Sequence, residues 1–110
     1  LDHLHERGWG TFFGAPIGVL LFVERSFGPS QWIDLGIYLQ TVLLLLREAG
    51  LDTCPQADWA LFEHSVTEFL GSPPDLTLVC GIAIGHGDFD RPENRIRSER
   101  DDPLDSYGIR

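Results

Sequence analysis

Four arginines, Arg91, Arg95, Arg97 and Arg100, crowd into one short stretch of a chain whose 8 basic residues are all arginine. A guanidinium meets a phosphate through two parallel N–H donors, so the run Arg95-x-Arg97-x-x-Arg100 is the part of this sequence best suited to hold a phosphate group. The competing reading is a solvated arm in which these side chains pair with Glu93, Glu99 and Asp101, adding little to stability. The other reactive residues point less clearly. His3, His5 and Glu6 have a spacing that a metal could use, but a lone His-x-His near a chain end is commonly solvent-facing. Asp101 and Asp102 are adjacent carboxylates in a polar segment, where a solvated pair is expected rather than an acid–base couple. Cys54 and Cys80 lack CxxC or zinc spacing and read as two buried, reduced thiols. Trp59 and Phe62 fit either the mouth of a pocket for aromatic compounds or a packed core. His86 and Asp88 stand where a strand leaves the core and take no role. No catalytic triad is visible.

The element that would position such residues is a long apolar helix from Ser30 to Glu48. Its polar positions Asp34, Thr41 and Glu48, with Gln40 and Arg47, recur every seven residues and form one narrow stripe. A helix apolar over the rest of its circumference must be covered on several sides. Ser30 is the expected N-cap, and Gly50 fits the left-handed position past the end, with Leu51 packing back on Leu46. The next residues, Leu51-Asp52-Thr53-Cys54-Pro55-Gln56-Ala57, read as a short turn. Asp58 then caps a second helix to Leu70 with Trp59, Phe62, Val66, Phe69 and Leu70 on one side, and Gly71-Ser72-Pro73-Pro74 ends it.

Two strands flank these helices. Pro16 to Glu24 is apolar without alternation, which predicts a central strand covered on both faces; Arg25 to Pro29 is a turn. Asp75 to Gly85 predicts a strand with unlike faces, Leu76, Leu78, Cys80, Ile82 and Ile84 on one and Thr77, Val79, Gly81, Ala83 and Gly85 on the other. The small residues of the second face allow a helix or a planar ligand to approach the backbone. Residues 1–11 read as a frayed remnant, 12–85 as the core and 86–110 as an extended arm.

The formal charge of −9 disfavours nucleic acid and anionic membranes, which are bound by clustered cations. The helix is too interrupted to span a bilayer, since Asp34, Gln40 and Arg47 flank its apolar block. With 110 residues and 43% hydrophobic content the chain is a single globular domain, and the absence of Met predicts that Leu1 lies within a longer reading frame. Reduced cysteines and the lack of a signal or lipidation motif point to the cytoplasm.

The segment Trp32-Ile33-Asp34-Leu35-Gly36 through Gln40 to Ala49-Gly50-Leu51-Asp52-Thr53-Cys54-Pro55 resembles the FMN-dependent nitroreductase family. So do Phe12-Phe13-Gly14-Ala15-Pro16-Ile17-Gly18-Val19, Leu78-Val79-Cys80-Gly81-Ile82-Ala83-Ile84-Gly85, and Asn94-Arg95-Ile96-Arg97-Ser98-Glu99-Arg100 with Pro103-Leu104-Asp105, in the same order. The resemblance implies part of an α+β sandwich, a sheet with a long buried helix and an extended C-terminal arm, in which two subunits exchange arms to form a homodimer. It also implies FMN as cofactor. Pro55, Gln56 and Ala57 would lie against the isoalloxazine, the Gln56 or Ala57 amide donating near N5 because proline has no N–H. Arg100, then Arg97, would hold the phosphate, complemented by an arginine- and serine-containing segment of the family that stands N-terminal to the residues seen here. The implied activity passes hydride from NAD(P)H through FMN to a nitroaromatic, quinone or similar acceptor, with the flavin carrying the redox chemistry. The rival expectation is a non-catalytic dimeric remnant that keeps sheet and helix but has lost the flavin site.

Overall fold

The computed structural model describes residues 9–101. Among them, three strands, β1 (Ile17–Glu24), β2 (Asp52–Gln56) and β3 (Leu76–Gly85), form one antiparallel sheet in the order β1-β3-β2. The long helix α1 (Pro29–Glu48) connects β1 to β2; a 3₁₀ turn (Ala57–Phe62) and the short helix α2 (Glu63–Leu70) connect β2 to β3. The elements are α+β, as expected.

The centre of the sheet is β3, whose residues Leu78, Cys80, Ile82, Ala83 and Ile84 are all buried. The expectation that the first strand is central is therefore corrected: β1 lies at an edge, with Ile17 and Val19 51% and 40% exposed. Apolar runs report how much cover a strand needs, and among the described residues β1 has a neighbouring strand on one edge only. Against the Cys80, Ile82 and Ile84 side chains pack Leu39, Leu43 and Leu46 of α1, together with Leu21 and Leu51. Val79 joins this cluster despite its opposite parity. The cause is a bulge between β1 and β3, where Leu21 pairs with Cys80 and Phe22 with Leu78, leaving Val79 unpaired. An extra residue in one strand breaks the alternation of faces, so the two-faced reading of β3 holds only on the Cys80 side of the bulge.

Helix α1 starts one residue before the predicted Ser30 cap. Gly28 is the N-cap, Pro29 opens the first turn, and the Gln31 side chain reaches back so that its Oε1 accepts the Gly28 N–H at 3.0 Å. Proline suits this position because its missing N–H would have had no helical partner. The far end closes as expected. Gly50 has φ +82°, the Leu51 N–H donates to Leu46 O at 2.9 Å and the Gly50 N–H to Arg47 O at 3.0 Å, the pair of bonds that defines a Schellman close. The expectation of a buried helix is not met within one chain: no residue of α1 is buried. Its outer side presents Ile33, Ile37, Tyr38, Leu44 and Leu45 with 58 to 67% of their surface exposed.

The segment after α1 is a strand rather than a turn. Asp52 to Gln56 pairs with Gly85 to Gly81, and the proline within it stands on an edge strand, where a residue without an N–H is tolerated. The single helix expected over 58–70 is divided into the 3₁₀ turn and α2, and no side-chain bond from Asp58 caps it. Gly71, with φ +62°, ends α2. Phe62, Phe69 and Leu70, read as one packed side, are 56%, 88% and 50% exposed.

Candidate functional site

Around Gln56 the β2 edge strand gives way to the 3₁₀ turn, and the residues expected to meet a flavin fall on this junction. Pro55 and Ala57 are exposed and Gln56 is buried, only 3% exposed. Pro55 pairs with Ile82 and Gln56 with Gly81 of β3. The turn begins at Ala57, and the first N–H groups of a helical turn have no carbonyl of their own turn to meet. A main-chain donor thus stands at the surface on a rigid support.

The support is an aromatic clamp on the sheet face opposite α1. The Trp59 indole N–H donates to Gln56 Oε1 at 3.3 Å. The indole stacks on Phe12, with ring centroids 4.5 Å apart and planes inclined by 18°. Both rings lie over glycines: a Cβ on Gly81 would stand 2.3 Å from Trp59, and one on Gly18 2.4 Å from Phe12. The small face of β3 is therefore covered by the chain's own side chains, Trp59 at Gly81 and Pro16 at Gly85, rather than by a helix or a ligand. Phe12 reaches its place through an unusual backbone, since it and Phe13 have φ +49° and +56°, a left-handed conformation that costs a bulky residue of order 1–3 kcal/mol.

Gln56 is the single buried polar side chain among the described residues, and its Nε2 has no hydrogen-bond partner there. A buried donor left unmet costs roughly 1–3 kcal/mol. Sequence reasoning placed Gln56 at the site for its main chain and missed its side chain and its tie to Trp59. The available signal was a glutamine three residues before a tryptophan at the start of a turn.

The arginines expected to bind phosphate stand on the arm that follows β3. The sheet register puts the start of the arm beside Asp52, at the opposite end of β2 from Gln56, on the order of 13 Å away at strand rise. There the Gly87 N–H donates to Asp52 Oδ2 at 2.8 Å, and the other oxygen of the same carboxylate pairs with Arg47 at the end of α1. Residues 88–95 fold on themselves. Arg95 donates to the carbonyls of Phe89 and Asp90, both at 3.2 Å, Asn94 to Asp88 O at 2.6 Å, and Pro92–Arg95 form a 3₁₀ turn. The arm is exposed throughout residues 88–101. Arg97 makes no hydrogen bond or ion pair among the described residues, and Arg100 donates only to Glu99 O. Where arginines of the arm do pair, the partners are Asp88 and Asp90 rather than the expected Glu93, Glu99 and Asp101. No bond among the described residues joins Arg97 or Arg100 to Pro55–Ala57.

The remaining candidates resolve quickly. Cys80 is buried, but Cys54 is exposed, which corrects the expectation of two buried thiols; both are free. Desolvation raises the pKa of each above the ordinary thiol value. Trp59 is half-buried against the sheet, whereas Phe62 is largely in solvent. His3, His5, Glu6 and Asp102 lie outside the described residues. Among those described, no cluster of His, Cys, Asp or Glu could hold a metal, and no helix is long and apolar enough to cross a membrane. Two open clefts beside α2 are lined by Arg25, His64, Thr67 and Pro74, and neither includes Pro55, Gln56, Ala57, Arg97 or Arg100.

Comparison with known proteins places the chain, though not these individual residues, in a family. The model of the nitroreductase family matches residues 3–86, and the chain belongs to that family. It is 43% identical over 91 residues to a 4-nitrobenzoate reductase of Nocardioides sp. (strain LMS-CY), an alignment covering 83% of this chain and 36% of that protein. A 4-nitrobenzoate reductase of Pseudomonas putida is 36% identical over 90 residues, 82% of this chain and 40% of the relative. Among solved structures, the FMN and NADPH-dependent nitroreductase NfnB of sphigopyxis sp. strain HMH superposes with a TM-score of 0.80 at 46% identity, covering 86% of this chain and 42% of that one. The FMN-dependent NfnB of Mycobacterium smegmatis, solved in complex with NADPH, gives 0.79 at 32% identity over 86% of this chain and 42% of its own. The chain thus spans about two fifths of the length of these relatives.

Proposed function

We infer that this chain serves an FMN-dependent oxidoreductase of the nitroreductase type, contributing the junction that meets the flavin ring and the arm that holds its phosphate. The single observation that carries this reading is the exposed first residue of the turn, Ala57, next to buried Gln56, whose side chain accepts from Trp59 at the end of β2. When bound, FMN supplies the hydride chemistry, taking reducing equivalents from NAD(P)H and passing them to a nitroaromatic, quinone or similar acceptor. The chain's own residues bind and orient. The Ala57 or Gln56 N–H is the donor toward the ring, Pro55 stiffens the approach to it, and Arg100, with Arg97 second, offers charge-assisted bonds to the phosphate. These arginines fit the role because neither is committed to a carboxylate.

Two further points belong to the same reading. The uncovered apolar side of α1, from Trp32 to Leu45, supports a homodimer in which a second copy covers it. The free state of both cysteines supports the cytoplasm.

A second reading, a dimeric remnant without a flavin site, is favoured by one observation: neither cleft among the described residues touches Pro55–Ala57. Titration with FMN and with riboflavin, followed by amide resonances, separates the two. Saturable FMN binding that shifts Gln56 and Ala57 and exceeds riboflavin binding supports the enzyme; no shift up to millimolar FMN supports the remnant.

A further inference from the structure

The Gln56 carboxamide occupies a place that packing alone does not explain. Its Oε1 is committed to the Trp59 indole N–H at 3.3 Å, and turning the amide over would set two donors against each other, so Nε2 points away with no acceptor among the described residues. An apolar side chain of this length would fill the same volume and leave no unmet donor. What the glutamine adds is the bond to Trp59. Trp59 in turn is confined, by the Phe12 ring on one side and by Gly81 of β3, whose missing Cβ makes room for the indole. Gly81 is also the main-chain partner of Gln56 across the sheet. The side chain of Gln56 is thereby tied to Trp59 and its backbone to Gly81, over which Trp59 lies, so the residue just before the Ala57 amide is held from two directions.

We propose that the Gln56 side chain is a positioning residue for the flavin, acting with Trp59 to aim the Ala57 N–H. It touches no reacting atom. The proposal rests on the reading of the Gln56–Ala57 junction as the flavin contact. Its prediction is local: removing the side-chain bond leaves the sheet intact but lets the junction turn.

Gln56→Leu and Trp59→Phe both remove the bond, and Trp59→Phe keeps a ring on Phe12 if Gln56→Leu fails to fold. Amide exchange and FMN-induced resonance shifts are measured in the unmutated chain and in both variants. The expected result is exchange of the Gln56 N–H faster by about tenfold or more, with β3 amides unchanged, and loss of most of the FMN-induced shift at Ala57. In flavin-loaded protein the midpoint potential moves as well, which a purely structural role would not produce. An FMN-induced Ala57 shift that is present in the unmutated chain and the same in both variants overturns this proposal alone. Absence of that shift in the unmutated chain removes the flavin reading, and the proposal with it.

Discussion

The carboxylate of Asp52 accepts the main-chain N–H of Gly87 at 2.8 Å, so the first residue of β2 holds the first residues of the arm. The same carboxylate pairs with Arg47, which binds the end of α1 into the junction. One side chain on an edge strand thus sets where the helix stops and where the arm departs. Asp52→Ala should destabilise the chain by about 1–2 kcal/mol, the range for losing a charge-assisted bond at a partly exposed site. Denaturant unfolding checks the magnitude, and faster exchange at Gly87 with unchanged exchange in β1 checks the locality.

Gly81→Ala places a methyl group 2.3 Å from the Trp59 ring in the most covered strand of the sheet. The ring must move, and it cannot do so without leaving Phe12. A loss of about 1–3 kcal/mol is expected, together with a red shift of the Trp59 emission as the indole meets water. Unchanged emission would show that the backbone, not the ring, has yielded.

Substitutions along α1 distinguish core from interface. Leu43→Asp buries a charge against the Cys80–Ile82–Ile84 cluster and should cost several kcal/mol, on the order of 3–5. Leu45 is 58% exposed, so Leu45→Asp should leave monomer stability within about 0.5 kcal/mol while abolishing self-association. Thr41 stands one turn from Ile37, Tyr38, Leu44 and Leu45 on the same exposed side of α1, so Thr41→Asp should spare monomer stability but weaken self-association as Leu45→Asp does. Sedimentation beside thermal unfolding reads the three; a compact monomer at micromolar concentration in the unmutated chain would remove the dimer.

Arg100→Ala should weaken FMN binding by roughly 1.5–3 kcal/mol and leave riboflavin binding unchanged, since only FMN carries the phosphate. Arg91, already paired with Asp88, should tolerate the same change. Equal affinity of the unmutated chain for FMN and riboflavin would remove the phosphate role.

The two thiols give a pH dependence with a definite sign. Burial raises the Cys80 pKa above the ordinary thiol value, so the folded state holds its proton to higher pH than the unfolded state does. That contribution to stability is complete below the unfolded pKa and is lost as pH rises through the folded one. Cys80→Ser should flatten the alkaline limb of the stability curve. At neutral pH a thiol reagent should modify the exposed Cys54 first, with Cys80 following only on opening of the sheet.

How far the sequence reached depended on the kind of signal. The C-terminal end of α1 was legible because a glycine with Leu51 beyond it is local chemistry, and the Leu51–Leu46 bond is the result; the N-terminal cap was placed at Ser30 instead of Gly28. The edge strand β2 was not legible, since Asp-Thr-Cys-Pro-Gln has neither apolar alternation nor β-branched bulk, and its pairing is supplied entirely by β3. Strand order likewise leaves no local trace: Leu20 to Val23 looks as covered as Leu78 to Ala83, and only the register shows which lies in the middle. The face of β3 was read correctly from Cys80 to Ile84 and failed at Val79, where the bulge changes parity. At the candidate site the sequence singled out Gln56 for its main chain alone, and the residue its side chain meets, Trp59, was assigned to the wrong element, a continuous helix instead of a 3₁₀ turn.

Asp52 and Gln56 sit on the same face of β2 because they stand four positions apart, an even offset, and each is tied by its side chain, one to Gly87 and the other to Trp59. The strand therefore works as a ruler with a parity rule. Deleting or inserting one residue between them would rotate one end by half a turn relative to the other. The Gln56 carboxamide would then face the apolar underside of α1, or the Asp52 carboxylate would lose the arm. Change in this segment is confined to substitution, or to steps of two that also move the arm by a full strand repeat, about 7 Å.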